Sequence, residues 1–481
     1  MPKVNRRQFL EESMLATAAA VAATQSLAFA DEPAKASAND TINAAIIGCG
    51  IRGKQHAEVL SKLPDCAITH VCDPDSKRAE EVAALLVKLG RPAPKAVQDL
   101  RKVFDDQSVD VAFVATPNHW HALAAIWAMQ AGKDVYVEKP VSHNVAEGRR
   151  IVQAARKLNR ICQGGTQNRS RGAWQGAVEY IQDGKLGRVE LAKSIVYGRR
   201  GSVGGPGLCS IPETVDYDLW LGPAAKLPLT RRSFHYDWHW FWNTGNGELG
   251  NNNIHYTDLC RWCLGVTGMG NAVLSYGGRL GYTDSADTPN TQVVIHDFGD
   301  KTLVTETRGL KSDPYPFHNT AYGALIYGTE GIIVDGSLFE PDGTLVRTFE
   351  GKSQNHFANF LKAVRSRKVS DLNADILETH QSTALCHVGN ISYRLGATAS
   401  PEAISEQLGQ LKVHDQVRET FERTRKHLAD NQVDLKASPL TLGSLLRIVP
   451  EAEAFQDNPE ADALLTRSYR PPFVVPSEQD L

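Results

Sequence analysis

Gly48, Gly50 and Gly53 are spaced GxGxxG in the stretch IIGCGIRG, and Asp73 ends the next apolar run, AITHVCD. Glycines so spaced allow a tight strand-to-helix turn and bring main-chain N–H groups and a helix N-terminus to a pyrophosphate. A carboxylate at the end of the following strand accepts hydrogen bonds from ribose hydroxyls and repels a 2′-phosphate. These residues suit the binding of a dinucleotide, NAD in preference to NADP, with Ile51 and Arg52 completing the loop.

Two later motifs, TPNHWH (with Thr116, Pro117, Asn118 and His121) and VEKPVS (with Glu138 and Lys139), also close apolar runs. Each falls where a strand of an open parallel sheet would end, which is where such sheets take ligands. Pro140 restricts the backbone after Lys139 and can permit a cis bond. By residue type alone Lys139 is either a solvated surface charge or a proton-exchanging group in the crevice.

Positioning these motifs requires strands separated by single helices. INAAIIG, AITHVCD, DVAFVATP and DVYVEKP read as buried strands, and RGKQHAEVLSKL has helical spacing. The alternation predicts an α/β fold beginning with a doubly wound parallel Rossmann sheet over residues 41–165.

Taken in order, GCGIRG, Asp73, TPNHWH, EKP, GGTQNRS (with Gln167 and Arg169) and GNNNIHYTDLCRW resemble the Gfo/Idh/MocA oxidoreductase family, from about Thr41 to Gly396. The resemblance implies that residues 166–400 form a second α/β domain with a large, open, mainly antiparallel sheet. That sheet would draw on VELAKSIVYG, NAVLSYGGRL, TQVVIHDFG, KTLVTETRG and GALIYGTEGIIVDG, and helices after Asn355 and Asp375 would complete its core. It further implies an active site between the domains, with Lys139 beside the nicotinamide and His255 exchanging the proton. Asn251, Asp258, Arg169, Gln167 and Trp238 are the expected substrate contacts. Oxidation of a secondary alcohol needs such a base, and a lysine near a positively charged oxidised ring should have a depressed pKa.

One position departs from the family pattern. Many relatives carry an aspartate where this chain has Asn251, and an amide orients a hydroxyl but cannot act as a base. His255 then works unaided or with Asp258; alternatively Asp258 is a first-turn helix acid and His255 a capping or core histidine. The stretch SFHYDWHWFWNTGNG (Ser233 to Gly247) also has two readings: aromatic faces for a sugar ring, or a packing cluster at a boundary.

The remaining composition narrows the class. A formal net charge of −3 gives no basic surface for nucleic acid. Cys260 and Cys263 form a CxxC inside a helical stretch without a second pair for zinc, so no metal is expected. Beyond residue 400, QLKVHDQVRETFERTRKHLADNQ reads as an amphipathic helix, and SYRPPFVVP as an extended surface tail. This extension over 401–481 would line the cleft or brace an oligomer. At the other end, Arg6 and Arg7, an Ala-rich apolar stretch and Ala28-Phe29-Ala30 read as a twin-arginine export signal over 1–30, followed by a polar linker over 31–40. No later run is long enough for a membrane anchor.

The expectation is an exported, periplasmic oxidoreductase with tightly bound NAD, acting on a small sugar, polyol or glycoside and assembling as a dimer or tetramer. A bound nicotinamide outside the cell cannot exchange with a pool, so each turnover must restore it. Two alternatives remain: an NAD-dependent glycosidase working by transient oxidation and elimination, and a sugar-binding protein with a structural nucleotide.

Overall fold

INAAII forms β1 (Ile42–Ile47) at the centre of a parallel sheet, where both faces are covered and an almost wholly apolar strand is required. The structure, a computed structural model, describes residues 41–205, 207 and 209–481, so the expected leader over 1–30 and linker over 31–40 lie outside the described residues. After β1 come α1 (Ile51–Leu60), β2 (Cys66–Cys72), α2 (Ser76–Lys88), β3 (Lys95–Val97), α3 (Leu100–Phe104), β4 (Val111–Val114), α4 (Asn118–Gln130), β5 (Asp134–Val137), α5 (Val145–Lys157) and β6 (Cys162–Gly164). The six strands lie in the order β3-β2-β1-β4-β5-β6, all pairs parallel, which is the doubly wound arrangement expected. Successive residues of β1 serve opposite faces: Ile46 packs with Ala57, Val82 and Phe113, and Ile47 with Val103, Leu123 and Ile151.

The second part begins with α6 (Gly172–Gln182), β7 (Val189–Val196) and α7 (Tyr217–Leu221), then a π turn over Leu249–Asn253 leading directly into α8 (Ile254–Leu264). Strands β8 (Ala272–Gly278), β9 (Thr291–Asp297), β10 (Thr302–Arg308), β11 (Tyr322–Gly328), β12 (Gly331–Val334), β13 (Ser337–Phe339) and β14 (Leu345–Thr348) follow. Next come α9 (His356–Ser366), α10 (Ile376–Arg394), β15 (Ala397–Ala399), α11 (Pro401–Gln410) and α12 (Gln416–Asp430). Asn355 and Asp375 cap α9 and α10 by accepting from Phe357 N and Leu377 N. The chain closes with β16 (Leu440–Leu442), β17 (Leu446–Val449), β18 (Ala454–Phe455) and α13 (Pro459–Ala463). These strands build a 12-stranded sheet that is antiparallel throughout except where β10 runs parallel to β7.

The C-terminal extension contains the expected helix, α12, but adds strands and a tail that is partly buried and not laid wholly on the surface. Ile404, Leu408, Val417 and Phe421 of α11 and α12 pack on Leu191, Leu274, Val293 and Val304, covering one sheet face. The strands β16 and β17 then pair with β8. The tail returns to the first domain, where Phe473 (2 % exposed) sits among Trp120 and Trp127 at ring separations of 5.4 and 6.3 Å. Its apolar side chains, Phe473 and Val475, account for the burial that its prolines hide from a periodicity search. All eight cysteines are free thiols. Among the described residues no helix is long and apolar enough to cross a membrane, and no cluster of His, Cys, Asp and Glu could hold a metal.

Candidate active site

The glycine loop has the form a pyrophosphate needs. Gly48 takes φ +95°, and a Cβ there would lie 2.5 Å from the Ala115 carbonyl oxygen; a Cβ on Gly53 would lie 1.9 Å from Gly48 O. Gly50 is different, because a Cβ there would meet only Arg78 Nη1 at 3.5 Å and otherwise open space. Helix α1 starts beside it without a side-chain cap or an acid in its first turn, leaving its first N–H groups for a ligand. Asp73 lies at the end of β2, its carboxylate accepting from Cys49 N at 2.8 Å and Asp75 N at 2.9 Å. Burial lifts this carboxyl to about 6, opposed by those two N–H donors. Thr116 Oγ1 is buried without a partner at the end of β4. This cradle of glycines, free N–H groups, carboxylate and orphaned hydroxyl fits a dinucleotide.

Glu138 organises the neighbouring strand end. Its carboxylate accepts from Arg52 Nε at 2.6 Å, His56 Nε2 at 2.9 Å and Gln167 Nε2 at 3.1 Å. Burial alone would raise its pKa, but Arg52 and His56 hold it well below the usual carboxylate range. Arg52 thereby ties the glycine loop to the EKP motif through Glu138 Oε1, while Oε2 accepts only from Lys139 N, at 3.3 Å, among the described residues. Lys139 follows through a cis peptide to Pro140, and its Nζ donates to the Asn251 carbonyl at 2.6 Å. Burial brings this amine down to about 8, against the pull of the Glu138 carboxylate.

The π turn presents Asn251 O to Lys139 and places His255 in the first turn of α8. Such one-turn widenings recur at functional sites because they redirect side chains from the helical repeat. His255 is half-buried, and neither ring nitrogen has a hydrogen-bond partner among the described residues. Burial, then the charge of Lys139, push it down to about 3, so it is a neutral imidazole facing the crevice at ordinary pH. The Asn251 side chain is likewise half-exposed.

Other expected site residues are engaged elsewhere. Asp258 (0 % exposed) accepts from Arg169 Nε and Nη2 at 2.8 and 2.9 Å and from Ser382 Oγ at 2.6 Å. The Arg169–Asp258 pair is thus a buried brace between the loop before α6 and α8, and neither residue is free to meet a substrate or assist His255. Trp238 stacks on His239 at 3.6 Å and packs with Trp220, Leu221 and Phe234, which favours the packing reading of the aromatic stretch. His121 is buried between Pro140 O at 2.6 Å and Thr116 O at 2.7 Å, joining two motif loops instead of facing a ligand. Asn118 Nδ2 donates to Asn246 Oδ1 at 2.9 Å.

Three residues that sequence reasoning missed bear on Lys139. Glu248 draws its pKa up, while Arg200, which is bonded to Glu248 at 2.9 and 3.0 Å, and His239 carry or resist charge beside it. His239 Nδ1–H donates to the Tyr236 carbonyl at 2.6 Å, and burial pushes the pKa of this ring down to about 3. Its place in an aromatic run with interspersed histidines was the available signal.

Residues 42–166 match the profile of an oxidoreductase family described as having an NAD-binding Rossmann fold (GFO_IDH_MocA), and residues 206–421 match that family's C-terminal alpha/beta domain. A glycosyl hydrolase family 109 protein of Shewanella pealeana is 29% identical over 176 residues, 33% of this chain and 39% of the relative. An alpha-N-acetylgalactosaminidase of Shewanella oneidensis is 28% identical over 179 residues, 34% of this chain and 39% of the relative. The chain therefore spans about two-fifths of the length of these curated relatives. In fold it resembles the WlbA dehydrogenase of Bordetella pertussis, solved with NADH and UDP-GlcNAcA: TM-score 0.54 at 20% identity, covering 72% of this chain and 94% of that one.

Proposed function

The chain belongs to the Gfo/Idh/MocA oxidoreductase family with its NAD-binding Rossmann domain, and from that premise we propose that it oxidises a secondary alcohol carbon of a sugar, polyol or glycoside. NAD, when bound, supplies the hydride acceptor. Glycine-loop N–H groups and the α1 N-terminus would hold its pyrophosphate, and Asp73 would accept from the ribose hydroxyls. Lys139 takes the substrate hydroxyl proton as the carbon–hydrogen bond breaks, and a pKa near 8 suits a group that must both accept and return a proton near neutrality. His255, neutral and unpartnered, accepts from or donates to the same or the adjacent hydroxyl. The observation that supports the reading is the bond from Lys139 Nζ to the π-turn carbonyl of Asn251, four residues before His255, whose imidazole feels the lysine charge. Export by the twin-arginine route is part of the proposal, with Arg6 and Arg7 as its support.

The names of the curated relatives favour a specific form of this chemistry. Oxidation of one ring carbon acidifies the neighbouring C–H, so proton loss there expels the aglycone. Water then adds to the resulting enone, and return of the hydride restores both the alcohol and the nucleotide. That sequence is redox-neutral and needs no second substrate. Incubating the purified protein with a glycoside panel, without added nucleotide, tests both forms: free aglycone supports the glycosidase, a keto sugar supports the oxidoreductase, and neither product refutes the proposal.

A further inference from the structure

The aromatic stretch and the segment before it fasten to both ends of the nucleotide crevice. At the β2 end, Asp75 bridges to Val215, Ser76 N donates to Thr214 O at 3.0 Å, and Asp216 N donates to Pro74 O at 2.9 Å. His235 Nε2 reaches Asp75 Oδ2 at 2.9 Å, two residues beyond the ribose carboxylate of Asp73. At the β4 end, Asn246 bonds Asn118, and the carbonyls of Thr244 and Trp220 lie 3.3 and 3.0 Å from the His119 ring nitrogens. Because the strand order is β3-β2-β1-β4, the β1 end with its glycine loop lies between these anchorages. Within the same span, four residues after His235, His239 stands near enough to Lys139 to feel its charge.

The C-terminal tail holds this span from behind. Arg467 donates to Glu147 Oε1 and His119 O at 3.0 Å and to Asn243 O at 3.3 Å. Arg470 donates to Gly222 O at 3.0 Å and Asp218 O at 2.7 Å, and Phe473 wedges against Trp120. Gly222, at φ +48°, lets the backbone approach Trp120 where a Cβ would lie 2.2 Å from the indole.

We propose that Thr214–Asn246 forms a fixed outer wall of the dinucleotide site, latched at the adenosine end by His235 and Asp75 and braced by Arg467 and Arg470, so that the nucleotide leaves only when this wall detaches. The inference rests on the proposed reading that the nucleotide stays bound between turnovers, and it supplies the residues that keep it there.

The test is exchange of the retained nucleotide in the full-length protein against excess isotopically labelled NAD, with no sugar present. His235→Ala and Arg470→Ala each accelerate exchange about tenfold or more over wild type, on the scale of a lost hydrogen bond to a charged group. His235→Gln, which keeps a donor, restores slow exchange, and this rescue separates the latch from a general loss of folding. Arg470 touches neither Asp73 nor the glycine loop, so faster exchange in its variant reports the wall and not a lost ligand contact. Wild-type exchange rates in both His235→Ala and Arg470→Ala would overturn the proposal. Sugar turnover by the same preparations stands or falls separately, because exchange is read without substrate.

Discussion

Lys139 Nζ donates to the main-chain carbonyl of Asn251, not to its side chain, at 2.6 Å. Residue 251, where the family resemblance leads one to expect an aspartate, therefore meets Lys139 through the backbone of a π turn. The amide side chain is half-exposed and makes no hydrogen bond among the described residues, so the roles of backbone and side chain at residue 251 can be separated by mutation.

Replacing Lys139 by Ala should lower turnover by roughly two to four orders of magnitude while bound NAD is unchanged. A stability signature accompanies the loss. The folded pKa near 8 lies below that of an unfolded lysine, so between about pH 8 and 10.4 the unfolded chain holds the extra proton. Stability associated with Lys139 rises with pH through that window, and its burial costs in full at pH 7. Denaturant midpoints should show Lys139→Met gaining on wild type at pH 7 relative to pH 10; equal differences at the two pH values would mean the amine is not perturbed.

Asn251→Asp should leave the Lys139 contact in place and add a negative charge near His255. His255 sits at about 3, so an anion stabilises its protonated form and moves that pKa upward. Whatever limb of the pH–rate profile reports the neutral imidazole shifts to higher pH, because more alkaline solution is needed to free it. His255→Ala abolishes the limb with the activity. Superimposable profiles for wild type and Asn251→Asp would uncouple the two positions.

Asp258→Asn should act on stability instead of chemistry. Removing one charge of the buried pair leaves Arg169 with only the longer contact to Glu378 at 3.5 Å, a loss of about 3 kcal/mol by denaturant unfolding, with kcat of the folded fraction within about twofold of wild type. A large fall in kcat at unchanged stability would return Asp258 to the substrate site.

Nucleotide preference should follow the charge of Asp73. Asp73→Ser relaxes discrimination against NADP, and in the wild type discrimination weakens as pH falls through about 6, where the raised carboxyl takes up its proton. Competitive loading of the two nucleotides across pH checks both statements.

The first domain was legible because its signals are local. An apolar strand, three glycines, a helical repeat and an acid at the next strand end specify their neighbours within a few tens of residues. The family resemblance singled out Lys139 and His255, and the fold brings them near enough for the lysine charge to act on the imidazole. What escaped depends on contacts distant in sequence. Arg169 and Asp258 each look like a polar site residue until the fold brings them together 89 positions apart. The π turn hides in Asn251-Asn252-Asn253, a run without periodicity, and Phe473 hides among prolines although it is nearly fully buried. The aromatic stretch showed its composition but not its anchorage, since Asp75 and Asn118 lie in the other domain.

The central claim, that Lys139 and a retained nicotinamide together oxidise a sugar carbon, is tested most directly by rapid mixing of the purified protein with a sugar and glycoside panel, no nucleotide being added. The measurement follows the near-ultraviolet absorbance of reduced nicotinamide. The account predicts a rise within the first turnover for at least one compound, lasting in an oxidoreductase and transient in a glycosidase, and none in Lys139→Ala at equal NAD content. A wild-type protein that carries NAD yet shows neither absorbance change nor product across the panel, or a Lys139→Ala variant that reduces its nucleotide as fast as wild type, would contradict it.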